Sequence, residues 1–169
     1  MWIQAVIIGL IGSALHFVFE LTRYNRFVGR FTPVNESTWE HLKLVYFPFM
    51  LLMFFNLYDT DDISKLVSSY LWGTLLAMVI IPLIFYFYQI FTHRSVLLFD
   101  ITLYFIAVFA GQFAQVYLYQ EEVLLLPIWS SSSALFIILI MFMLWTYYPP
   151  RNFLFQHPQG KTYGITHLE

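Results

Sequence analysis

The chain has 169 residues, of which 60% are apolar, 21% aromatic and only 11% charged. A soluble domain carries roughly a quarter charged residues to wet its surface, so a soluble enzyme, a disordered tail and a nucleic-acid binder are poor readings; a multi-pass membrane protein is the class that remains. The net charge of −2 comes without a polybasic or acidic block, and zero cysteines exclude disulfides, thiolate-held zinc, iron–sulfur clusters and covalently attached c-type haem.

Met1-Trp2-Ile3-Gln4 runs straight into apolar residues without a basic region or a small-residue cleavage site, so the first segment is expected to stay in the mature protein. Apolar runs of the length needed to cross a bilayer predict an all-α bundle of five transmembrane helices, over residues 2–21, 36–58, 66–91, 96–119 and 125–148. Pro48 and Pro82 fall inside the second and third runs, where each removes an amide donor and kinks its helix unless neighbours satisfy the freed carbonyl. The links are short, so residues 1–149 read as one transmembrane domain. Residues 150–169 form a tail whose Phe153, Leu154 and Phe155 are too apolar to stay free and are expected to dock on the cytoplasmic mouth of the bundle or on the membrane surface. Leu168 and Glu169, which a cloning scar would also explain, carry no weight.

Arg23, Arg26, Arg30, Lys43, Arg94, Arg151 and Lys161 flank one end of this arrangement, and Lys65 alone flanks the other beside Asp59, Asp61 and Asp62. The positive-inside bias then puts the N-terminus outside and the C-terminus in the cytoplasm. Trp2, Trp72 and Trp129 fall near the outer ends, and Trp39 and Trp145 near the inner ones. Small residues mark packing seams, because lipid supplies no hydrophobic drive between helices and close backbone approach must replace it. They are Ala5, Gly9, Gly12 and Ser13 in the first helix, Ser69, Gly73 and Ala77 in the third, and Ala107, Gly111 and Ala114 in the fourth. Ser130 to Ser133 are expected to bond back to helix carbonyls. Gln112 and Gln115 read as interhelical hydrogen-bond donors, too far from the acids to share a site.

Ionisable groups at membrane depth are costly and ask for a reason. His16, Glu20, Glu36, Glu40, His41 and Asp100 all come out at the cytoplasmic end and form a candidate polar or metal-binding cluster. His16 and Glu20 are four apart on one helical face, which suits half a metal site, a proton relay or a plain salt bridge, and Arg23 is near enough to take Glu20 instead. In Pro33 to Leu44, PVNESTWEHLKL, Asn35 reads as an N-cap with Val34 and Trp39 as its hydrophobic staple, and Ser37 with Glu40 fits a capping box one turn later. Helical phase sets Glu36, Glu40 and Lys43 on one face and His41 with Ser37 about 100° away, so Glu40 joined by a ligand from the first helix is the easier metal pair. Asp100 opens the fourth helix, where a carboxylate also complements the helix dipole, and Tyr104 lies one turn deeper. Docking of the tail brings His157 and Tyr163 toward the cluster.

The segments HFVFE at His16 to Glu20, PVNESTWEHLKLVYFP at Pro33 to Pro48 and YPPRNFLFQHPQGKTYGI at Tyr148 to Ile165 resemble a family of small multi-pass bacterial membrane proteins of unknown function. The resemblance runs nearly end to end and implies a bacterial cytoplasmic membrane protein, but no reaction. The family's tail carries Pro-Leu-Phe and Asp-Pro where this chain has Phe153-Leu154-Phe155 and His157-Pro158.

Three readings of function follow. The leading one is a membrane-embedded site for a small molecule or ion, where imidazoles and carboxylates suit divalent zinc, manganese or iron. An open position on such a metal would activate water for hydrolysis of a lipid-like substrate. The second is a proton- or cation-coupled transporter using the same groups as a relay; five helices make a small carrier, so this version implies a homodimer, and no inverted repeat is visible. The third is a structural or accessory membrane protein whose acids serve as caps and salt bridges. In all three the partner is the lipid bilayer, with no nucleic acid.

Overall fold

The computed structural model describes residues 2–158 and 162–165; Lys161, Leu168 and Glu169 lie outside the described residues. Five helices account for most of the chain: α1 Trp2–Leu21, α2 Thr38–Asn56, α3 Ile63–Thr92, α4 Leu97–Glu121 and α5 Ile128–Trp145. All five are long and apolar enough to cross a membrane. Among the described residues there is no strand, only a single antiparallel bridge between Gln156 and Tyr163.

Local chemistry sets the helix ends, and they differ from hydropathy by a few residues. α2 starts at Thr38, after the predicted start at residue 36, because Asn35 Oδ1 takes the Ser37 amide at 2.8 Å and holds the chain in a turn. Ser37 is then the N-cap, its hydroxyl accepting from the Glu40 amide at 3.4 Å. α3 starts earlier than predicted, at Ile63, where Asp62 caps it by accepting from the Lys65 amide at 3.0 Å. α5 is shorter than predicted at both ends. Leu126 is pinned outside the helix by its amide on Ser68 Oγ at 2.9 Å, and Pro127 occupies the N-cap. Pro48 and Pro82 both sit inside continuous helices.

α3 touches α2, α4 and α5, and its pairing with α4 is the most extensive; α1 packs on α2 and α4. Close approach explains both seams. A Cβ on Gly73 would lie 2.6 Å from the Gly111 carbonyl oxygen, and one on Gly111 2.5 Å from that of Gly73, so the α3–α4 crossing tolerates no side chain there. A Cβ on Gly12 would strike both the Tyr104 hydroxyl of α4 and the Leu44 carbonyl of α2.

The interior holds Phe49, Tyr70, Val108 and Phe142 with no exposure worth counting. A ladder of amides links the helices at the end remote from the arginines. Gln112 Nε2 donates to Gln4 Oε1 at 3.1 Å and to Gln115 Oε1 at 3.0 Å, and Gln115 Nε2 donates to Ser69 Oγ at 3.1 Å. Ser130 bonds back to the Pro127 carbonyl at 2.8 Å, whereas the buried Ser131 hydroxyl has no partner, so the serine run does not behave uniformly.

Candidate metal centre

The first turns of α2, the end of α1 and the chain after α5 meet at the arginine-bearing end. Glu36 stands just before the Ser37 cap, on non-helical backbone, and is thereby free to turn toward α1. Its Oε2 lies 3.4 Å from His41 Nε2 and its Oε1 lies 3.7 Å from His16 Nε2. The two imidazole rings are 5.4 Å apart. One ligand atom from each of the three residues falls within 4.8 Å of the others, the spacing of a group able to hold a metal ion. Zinc ligands about 2.1 Å from a tetrahedral ion lie about 3.4 Å from one another, so closing this site onto an ion needs only small side-chain movements.

His41 is prepared for the task. Its Nδ1 lies 3.0 Å from the Ser37 carbonyl oxygen, one turn back in the helix. A carbonyl only accepts, so Nδ1 carries the hydrogen; Nε2, which faces Glu36, offers its lone pair to a metal when the ring is neutral and donates to the Glu36 carboxylate when the ring is protonated. Metal-binding histidines are characteristically oriented this way. His16 lacks such a partner: its Nδ1 is buried with none. The histidine side chains are 32% and 31% exposed and Glu36 is 56% exposed, so the centre lies at a mouth rather than in the core. The hydrogen bond to His41 holds the Glu36 carboxyl below its usual range; burial opposes this, and the charges of His41, His16 and His157 reinforce it.

The six residues grouped by sequence therefore separate. His16, Glu36 and His41 come together. Glu40 does not join a ligand from α1; it forms a buried pair with Lys43, whose Nζ donates to Glu40 Oε2 at 2.6 Å. The same ammonium donates to Thr146 Oγ1 at 2.7 Å and to the carbonyls of Gly29 at 2.8 Å and Thr32 at 3.2 Å. Glu40 Oε2 also accepts the Val34 amide at 3.0 Å, so its carboxylate closes the preceding loop and not the Ser37 amide of a capping box. Lys43, counted from sequence among the flanking basic residues, is thus an interior charge.

Glu20 and Arg23 are both exposed, and among the described residues no ion pair joins either. Asp100 accepts a short hydrogen bond from the Tyr88 hydroxyl of α3. Tyr104 serves the helix seam, donating among the carbonyls of Ile8, Gly9 and Leu44. Asn35 ties the tail down through Nδ2 to the Gly164 carbonyl at 2.9 Å. His157 is held through its amide to the Thr162 carbonyl at 2.9 Å, and its charge reaches Glu36.

Thr146 and Tyr88 are the residues that sequence reasoning passed over. Each is an ordinary hydroxyl among similar neighbours, Thr146 beside Tyr147 and Tyr148 and Tyr88 two residues after Tyr86, and is distinguished only by the charge it meets across the fold. The tail segment docks unevenly. Phe155 is buried against Trp39 and Trp145 at ring distances of 4.9 and 5.3 Å, and the Leu154 carbonyl accepts the Trp39 amide at 3.0 Å. Phe153 instead lies 68% exposed, edge-on to Tyr86.

No curated protein and no solved structure matches the chain. The pattern of a family of unknown function, DUF6512, matches residues 1–165, and the chain belongs to that family.

Proposed function

We propose that this is an integral protein of a bacterial cytoplasmic membrane, N-terminus outside and C-terminus inside, that binds a divalent transition metal through His16, His41 and Glu36 at its cytoplasmic mouth. Five spans carry residues 1–149, and 150–169 form the cytoplasmic segment beside the site. The observation that supports this most is the convergence of two imidazole nitrogens, one from α1 and one from α2, with a carboxylate from the loop before α2, one imidazole being oriented by Ser37. Two histidines and one carboxylate leave coordination positions open, a donor set shared by hydrolytic zinc and non-haem iron sites. A metal there would supply water activation or substrate polarisation at headgroup depth. The relay reading has less support, because Glu40 is closed in by Lys43 and Val34, and Asp100 is engaged by Tyr88.

The test is elemental analysis of full-length protein purified without chelator, together with melting in detergent after adding zinc, manganese or ferrous ion. The expected result is one metal per chain and a raised melting midpoint, with both lost in His16→Ala and His41→Ala. Because binding displaces protons, affinity should rise with pH. Absence of metal, with melting unchanged by every ion, would leave an accessory protein held by salt bridges.

A further inference from the structure

A second constellation, built from other residues, lies in the connection between α1 and α2. Arg30 ends a short 3-10 turn, Val28–Arg30, and its guanidinium sits over two rings, 5.3 Å from the centre of Phe27 and 5.6 Å from that of Tyr147. Its Nε donates to the Tyr147 hydroxyl at 3.3 Å, and that hydroxyl donates in turn to the Arg26 carbonyl at 2.5 Å. The planar cation is thus fixed in place and angle by residues from opposite ends of the chain. No carboxylate among the described residues pairs with it, and its two terminal amino groups have no protein acceptor there.

A guanidinium fork with both amino groups open is matched to the paired oxygens of a phosphate. Holding it in advance lowers the entropy lost on binding. The surroundings favour a phosphate carried by a lipid: Phe27, which lies under the arginine, is exposed, and so are the apolar side chains of Leu21, the last residue of α1, and Tyr24 in the connection that follows it. Aromatic rings and arginines at that depth are the usual neighbours of headgroups. We propose that Arg30, clamped by Phe27 and Tyr147, forms a binding site for the phosphate of an anionic lipid headgroup. The site uses none of the proposed metal ligands, and it stands whether or not a metal binds.

The experiment uses full-length protein in phosphatidylcholine vesicles with a titrated share of phosphatidylglycerol, followed by extraction and native mass spectrometry of retained lipid. Wild type should retain phosphatidylglycerol. Arg30→Gln should retain it about tenfold more weakly, the scale of one charge-assisted hydrogen bond, and Arg30→Lys should also fall because a point charge does not replace the fork. Arg94→Gln removes an equal charge from an exposed position elsewhere and should change nothing. Tyr147→Phe keeps the cation but unhooks it, and a partial loss there carries the test if Arg30→Gln does not fold. Equal retention by Arg30→Gln and wild type, an equal loss in Arg94→Gln, or displacement of the lipid by inorganic phosphate alone would overturn the proposal. Chelator treatment should leave retention untouched, which separates this outcome from that of the metal test.

Discussion

Lys43 and Glu40, with 0% and 2% of their side chains exposed, form one buried ion pair that ties α2 to the loop before it and to Thr146. Every hydrogen of the ammonium has an acceptor, and the acceptors come from the loop before α2 and from Thr146 after α5. Removing one partner strands the other charge in a dry interior, which costs about 3–5 kcal/mol. Lys43→Met should therefore lower the melting midpoint in detergent sharply, and Glu40→Leu combined with Lys43→Met should recover much of that loss. Glu36 predicts a different effect. Its folded pKa is lowered from 4.5, so the ionised form favours the fold. That contribution is complete above the unfolded value and disappears as pH falls through the lower folded value. Melting followed into the acid range should show wild type losing more than Glu36→Gln, with a modest difference because the group is half exposed.

Among elements, the α3–α4 crossing is the contact least tolerant of change. Gly111→Ala puts a methyl against the Gly73 backbone carbonyl, which cannot rotate away. It should destabilise by about 1–3 kcal/mol, the usual cost of overpacking, measured as a lower melting midpoint, while Ala114→Gly on the same helix should cost less. The five helices and their glycine seams were legible in sequence because length, hydropathy and residue size act locally. The metal triad was legible only in its residue types. The 100° arithmetic that separates Glu36 from His41 holds inside a helix, and Glu36 lies outside one, before the Ser37 cap. His16 shares a helix face with Glu20, yet turns to α2 while Glu20 faces outward. Which of two neighbours a side chain chooses depends on how α1 and α2 are rotated against each other, and that is set by Gly12 meeting Leu44 and Tyr104.

At the scale of the molecule, the C-terminal segment closes the arginine-bearing end. Phe155→Ala should open the Trp39–Trp145 cluster, shift tryptophan emission to the red and cost about 3 kcal/mol. Orientation is equally accessible to experiment, because the chain has no cysteine to remove. A cysteine at Asp61 should react with an impermeant thiol reagent on intact cells and one at Arg94 only after lysis; the reverse result would invert the proposed topology.

Lys43 and Thr146 are 103 residues apart. At roughly 5–20 residues per second of synthesis, Lys43 is made about 5–20 s before the hydroxyl that completes its charged knot. During that interval the ammonium lacks one of the partners that surround it in the folded protein. Final burial is thereby tied to completion of the last helix, and a chain stalled before Thr146 offers quality control an unfinished polar wound to recognise.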